Sequence, residues 1–130
     1  QGSFASFQIP YSGLERTHEN VISRAAASGA GVIVRGGVAR GEPGSGLGGQ
    51  DKWDIWRKAG LEDLLEEEES PTAFLLRFTI SHPGMTTTIV GTKNPAHLAE
   101  NMRIADRGPL SDGVYAEAKK RLDAAGERPE

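Results

Sequence analysis

Three short strand-like runs, each leading into a segment with helical spacing, constrain this chain more than any single motif. Phe7-Gln8-Ile9 is stopped by Pro10, and beyond Ser12-Gly13 apolar residues recur at Leu14, Val21, Ile22, Ala25 and Ala26 until Ser28-Gly29 closes the pattern. Gly31-Val32-Ile33-Val34 is a continuous apolar run of strand length, the mark of a buried strand. Thr86 to Val90 is β-branched throughout, and after Asn94-Pro95 apolar residues return at Leu98, Met102 and Ala105. Between the second and third runs, Trp53 and Trp56 lie on one short helical pattern and Leu61, Leu64 and Leu65 on another. Ser70-Pro71 then opens a helix, with Ser as N-cap and Pro at N1. Its body, Phe74 to Ile80, is apolar on most sides, so burial is expected, and His82-Pro83-Gly84 ends it. A last helix carries Val114, Ala118, Leu122 and Ala125 on one face. Such alternation predicts an α/β fold with a parallel sheet and right-handed crossovers. Three strands are too few to close a barrel and leave two bare edges, which the rest of a sheet or a second copy must cover.

At 130 residues the chain suits a single domain, residues 1–130, and buries roughly two thirds of its unfolded surface. A formal net charge of -3 argues against a polybasic surface for nucleic acid or anionic membrane, so any anion must be met locally. The absence of cysteine excludes disulfides, thiolate metal sites and a cysteine nucleophile, and fits a reducing cytoplasm. No run reaches the ~20 apolar residues of a membrane span, and no export signal opens the chain, so a cytoplasmic protein is expected.

A glycine-rich loop is expected over residues 36–50, because Gly36 to Gly49 holds seven glycines and one proline. Within it, Gly44-Ser45-Gly46-Leu47-Gly48-Gly49 satisfies G-x-G-x-x-G, but the context refuses a dinucleotide-binding βαβ unit. The preceding strand ends near Arg35, too early, and the acidic residues downstream form the run Glu66 to Glu69 rather than a strand end. That acidic run reads as a solvated helix face. His18, His82 and His97 stand apart without metal-ligand spacing, so no metal site is expected. Gly91-Thr92-Lys93 offers more: close backbone approach, a hydroxyl and a point charge at a strand's carboxyl end, with the next helix aiming its N–H groups at the same place. The plain alternative is a β-α turn with one exposed lysine. On that helix His97, Glu100 and Asn101 share a face, where a carboxylate beside a carboxamide suits the edge of a base; ion pairing with Arg103 or Arg107 is the alternative.

The stretches FQIPYSGLER, GVIVRGGVARG and LLRFTISHPGMTTTIVGTKNPAHLAEN resemble, in order and spacing, the C-terminal half of the aldo-keto reductases. The resemblance runs from Phe7 to Leu122, and its most specific element is I-V-G-T-x-N-P-x-H-L-x-E-N. It implies a partial (β/α)8 (TIM) barrel corresponding to strands six to eight, and a nicotinamide dinucleotide, NADP(H), extended across the strands' carboxyl ends. By the same resemblance Gln8 matches the residue that binds the nicotinamide carboxamide, and Arg35 takes the place of an aromatic that stacks on the ring. Val38, Arg40 and Gly41 match the loop around the pyrophosphate. Gly91, Thr92 and Lys93 match the turn that grips the 2′-phosphate, and His97, Glu100 and Asn101 match the adenosine end, with His97 where other members carry Arg or Gln. The family's tyrosine acid and its lysine, aspartate and histidine partners belong to the N-terminal half, and neither Tyr11 nor Tyr115 falls at a matching position. The expectation is therefore a cofactor-binding portion of an oxidoreductase, inactive alone. The alternative is a non-catalytic half-barrel module that self-associates through its bare edge.

Overall fold

The computed structural model describes residues 4–130, so the first three residues of the expected domain lie outside the description. Strands β1 (Ser6–Pro10), β2 (Gly31–Arg35) and β3 (Thr87–Thr88) form one parallel sheet in the order β1-β2-β3. Right-handed crossovers between neighbours taken in chain order carry every connection to the same face. The register agrees with this. Phe7 stands opposite Val32, Ile9 opposite Val34, and Val34 opposite Thr88. On that face Val32 and Val34 are fully buried and Ile9 nearly so. The other face carries Gln8 and Arg35, both exposed, and Ile33, half-buried. Burial of β2 on both faces, which its apolar run predicts, is thus not found, because the helices cover one face only.

The helices are α1 (Glu19–Ala27), α2 (Gln50–Ala59), α3 (Pro71–Ile80), α4 (Pro95–Arg107) and α5 (Asp112–Ala125), with a 3-10 turn at Leu61–Leu64. Gln50 is the first residue of α2, so the glycine-rich loop ends at Gly49. Ser70 caps α3 as expected, its hydroxyl accepting the Ala73 N–H at 3.1 Å with Pro71 at N1. Asn94 does the same for α4, accepting the Ala96 N–H at 2.9 Å. Each cap satisfies an N–H that would otherwise lack a partner and is worth about 1 kcal/mol. α3 is the central helix. Phe74, Leu75 and Phe78 are fully buried and pack with Tyr11, Leu14, Ile22, Trp53, Trp56 and Leu122 in one continuous core.

Two further expectations are corrected. The third strand, expected over Thr86 to Val90, is reduced to Thr87–Thr88, flanked by single bonds from Thr86 N–H to the Val32 carbonyl (2.9 Å) and from Ile89 N–H to the Val34 carbonyl (2.8 Å). It is an edge strand, and with none of the described residues paired beyond it Ile89 stays half exposed. The acidic run is not a solvated helix face. Glu66 to Glu69 lie between the 3-10 turn and α3, and the Glu69 side chain is completely enclosed, paired with buried Arg77 at 2.8 Å. Arg77 also meets Glu66 at 3.0 Å and the carbonyls of Gly108 (3.1 Å) and Pro109 (3.3 Å), tying α3 to the α4–α5 connection. A charge inside the apolar helix is tolerated because each of its three nitrogens finds an acceptor.

Candidate functional site

Two loops leave the carboxyl ends of β2 and β3 and face each other across the candidate site. The first is rooted by the buried Thr79 hydroxyl, which donates to the Gly37 carbonyl at 2.8 Å. It then folds through successive turns, with Ala39 N–H bonded to the Gly36 carbonyl, Gly41 N–H to Val38 and Leu47 N–H to Arg40, each at 2.9 Å. Ala39 and Arg40 hold φ of 50° and 63°, followed by Gly41 at 80°. The left-handed region costs a residue with a Cβ roughly 1–2 kcal/mol, so these bonds impose a conformation the chain would not choose alone. Glycine richness therefore produces an organised loop.

The second loop is the Gly91-Thr92-Lys93 turn. The Thr92 hydroxyl accepts the Asn94 N–H at 3.1 Å, setting the chain direction before Asn94 caps α4. All residues from Gly91 to Glu100 are exposed. Between the two loops lies a cavity of about 910 Å³ lined by Val38, Arg40, Gly41, Gly91, Thr92, Lys93, His97, Glu100 and Asn101. Nine of the eleven residues singled out from sequence thus surround one space. Its floor and far wall include Ser70 and Thr72 at the start of α3, Val90, and Ile104 of α4, and the glycine-rich loop adds Glu42, Ser45, Gly46 and Leu47. Sequence reasoning did not single these out as site residues. Ser70 was visible as a helix cap, and the loop residues were visible only as loop. The N-termini of α3 and α4 both open on the cavity, adding partial positive charge to Arg40 and Lys93. Among the described residues neither cation forms an ion pair, and Glu100 forms none with Arg103 or Arg107, the latter being paired with Glu66. Gln8 and Arg35 lie outside this cavity, on the uncovered face of the sheet, with Arg35 at the carboxyl end of β2.

A second set of titratable groups lies against the helix-covered face. The Tyr11 hydroxyl, fully buried, donates to Glu19 Oε2 at 3.0 Å and lies 3.3 Å from the Tyr115 hydroxyl. Glu19 is also held by Arg16 (Nε to Oε2, 2.8 Å) and by Lys119 (Nζ to Oε1, 2.8 Å). Burial alone pushes the Glu19 carboxyl up, but the bonds from Arg16 and Lys119 outweigh it and hold it down to about 2. Burial pushes Tyr11 well above the usual phenol range, so this tyrosine keeps its proton. The cluster is a buried hydrogen-bonded knot. No helix among the described residues is long and apolar enough to cross a membrane, and no group of three or more of them is placed to hold a metal ion.

A sequential parallel sheet with helices on one face, and a cavity at the carboxyl ends of its strands, defines part of a β/α barrel. The pattern of the Aldo/keto reductase family matches residues 57–123, just over half of the chain. The chain belongs to the aldo-keto reductase family. Its fold is similar to that of the aldo-keto reductase AKR11C1 from Bacillus halodurans. The holo form superposes with a TM-score of 0.73 at 20% identity, over 93% of this chain and 43% of the other. The apo form gives 0.73 at 20% identity, over 93% and 44%. The chain therefore spans less than half the length of these structures. No curated protein matches it.

Proposed function

We propose that this chain is the NADP(H)-binding C-terminal portion of an aldo-keto reductase-type oxidoreductase. The observation that carries the reading is the convergence of Val38, Arg40, Gly41, Gly91, Thr92, Lys93, His97, Glu100 and Asn101 on one cavity of about 910 Å³, large enough for the adenosine end of a dinucleotide. The donor set fits such a ligand: two cations without ion pairs among the described residues and two helix N-termini for phosphates, and a carboxylate beside a carboxamide for the base. Lys93 selects the 2′-phosphate of NADP(H), and Gln8 and Arg35 hold the nicotinamide on the open sheet face. When bound, the cofactor supplies a hydride for a carbonyl substrate. The residues of this chain bind and orient it, and the tyrosine acid with its lysine, aspartate and histidine partners is the contribution of the N-terminal part of the barrel. General acid catalysis typically contributes 10²- to 10⁴-fold, so this chain alone does not turn over aldehydes. Fluorescence titration with NADPH and NADH, paired with an aldehyde-reduction assay on the pure chain, tests both halves. The expected result is saturable binding favouring NADPH, without turnover. No binding, or turnover like that of a complete reductase, refutes the reading.

A second reading is a half-barrel that self-associates, favoured by the free edges of β1 and β3 and by the exposure of Phe4, Phe7, Ile89 and Met102 beside them. Size-exclusion chromatography with light scattering distinguishes it. A stable monomer at all concentrations excludes it.

A further inference from the structure

His82 lies between α3 and β3, buried to 4% exposure, and is not part of the cavity. The Gly84 N–H donates to its Nδ1 at 3.0 Å, and its Nε2 faces the Ser23 hydroxyl of α1 at 3.5 Å. An Nδ1 that accepts a bond belongs to the neutral ring with its proton on Nε2. The His82 carbonyl accepts the Met85 N–H at 3.1 Å. The following residue, Thr86, donates to the Val32 carbonyl at 2.9 Å, and its hydroxyl accepts the Val32 N–H at 3.0 Å. Gly84 is wedged against α1, where an added Cβ would stand 3.1 Å from the Ala26 Cβ and 3.2 Å from the Ile22 carbonyl. The imidazole, followed by the Thr86 hydroxyl, is thus one of two side-chain anchors just before a strand of only two residues, and that strand leads directly to Gly91-Thr92-Lys93.

We propose that His82 is a positioning residue whose neutral ring fastens β3, and through it the Gly91–Lys93 turn, and whose protonation releases both. A protonated ring has two donors and no acceptor, so the Gly84 N–H would face another N–H and lose its partner. The charged groups facing the ring are Glu19 on α1 and Lys119 on α5, and the Tyr11 ring meets it edge-on at 5.4 Å. Burial favours the neutral ring and Lys119 reinforces it, while the Glu19 carboxylate and hydrogen bonding to the backbone at Glu19 and His82 oppose it, with the net result below the ordinary imidazole value. The folded state therefore prefers the neutral form. The anchoring is complete above the ordinary value of about 6.5 and is lost as pH falls through the lower folded value. Glu19, held down to about 2, stays charged across this window, so it does not imitate the effect. Anchoring of β3 stands on this geometry alone; its consequence for cofactor binding rests on the function proposed above.

The test is amide hydrogen exchange on the complete chain without cofactor, from about pH 7.5 to about pH 5, corrected for intrinsic rates. In the wild type, protection of the Thr86 and Ile89 amides is expected to fall about tenfold per pH unit below the His82 midpoint, while α5 amides keep theirs. In His82→Gln, whose side-chain carbonyl accepts the Gly84 N–H without titrating, the protection should not change with pH. Equal loss in the variant, uniform loss over both elements, or no loss in the wild type overturns the proposal. NMR of the wild type alone gives a second measurement if the variant does not fold: the Gly84 amide shift must follow the His82 ring with one midpoint, and independent behaviour overturns the proposal. NADPH titration over the same range separates the two readings. Absence of binding at every pH refutes the cofactor, while the exchange result decides the latch.

Discussion

Replacing Arg16 with Met tests how the chain holds its two ends together. The Arg16 side chain is 1% exposed and uses all its nitrogens. Nε and Nη2 reach the two oxygens of Glu19 at 2.8 and 3.2 Å; Nη1 reaches Asp123 Oδ1 at 2.8 Å and the carbonyls of Glu127 and Lys119 at 3.0 and 3.3 Å. The residue thus joins the turn after β1 to α5, more than a hundred positions away. Methionine preserves the stem and deletes the donors, leaving the Glu19 carboxylate, 4% exposed, with only Lys119 and the Tyr11 hydroxyl. Removing one partner of a buried pair costs about 3–5 kcal/mol, and the surviving Lys119 places this case near 3. For scale, a carboxyl held at about 2 instead of 4.5, by Arg16 and Lys119 together against burial, stabilises the fold by about 3 kcal/mol near neutral pH. Because its folded value is depressed, that stability is complete above 4.5 and disappears as pH falls toward about 2. Urea unfolding of Arg16→Met at neutral pH should show a loss of about 3 kcal/mol with an unchanged m-value, and its acid dependence in this window should be flatter than in the wild type. A loss below about 1 kcal/mol, or an identical acid profile, would refute the view that the knot is a principal stabiliser.

Two further perturbations address the cavity. Lys93→Met removes an exposed charge without affecting the core, so stability should change by less than about 0.5 kcal/mol; NADPH affinity should fall about tenfold and NADH affinity should not, as read by fluorescence titration. Equal loss for both nucleotides would place Lys93 away from the 2′-phosphate. Gly48→Ala acts from the other side, because a Cβ at Gly48 would collide with the Gly41 carbonyl and the Trp53 indole nitrogen. Since Gly41 lines the cavity, NADPH binding should weaken severalfold, while heat-induced unfolding of the α2–α5 core shifts by only a few degrees. Unchanged binding would show that the packed form of this loop is irrelevant to the site.

Local chemistry made much of this molecule legible before its structure. Ser70-Pro71 announced the start of α3 because a cap needs only the residues within its own turn. The Gly91–Lys93 turn and the face shared by His97, Glu100 and Asn101 were legible for the same reason. Their meeting with Val38, Arg40 and Gly41 required the order of strands and came from resemblance to a family. Partners distant in sequence were not legible. Nothing near Arg77 in sequence indicates that the last of four consecutive glutamates turns inward to meet it, and nothing near Arg16 indicates Asp123. The left-handed Ala39 and Arg40 were likewise hidden, because their conformation is imposed by hydrogen bonds across the loop rather than favoured by the residues themselves.

Strand order explains why the glycine pattern at Gly44–Gly49 was rightly set aside. A doubly wound sheet binds its dinucleotide where the strand order reverses, so that two loops diverge to opposite faces and open a crevice between them. In the order β1-β2-β3 there is no reversal, and the crossovers leave one face of the sheet bare. A glycine-rich loop after β2 then has no crevice to enter and can only arch over the strand ends toward the loop that follows β3. The cavity lies between those two loops, and the glycines allow the arch to turn back on itself at Gly41 and Gly46. The same topology puts Gln8 and Arg35 on the bare face, in line with the carboxyl ends of the strands. An elongated ligand held at Lys93 would therefore extend across the strand ends rather than along a strand, so that the phosphate position proposed after β3 and the ring positions proposed on β1 and β2 would be reached by one molecule.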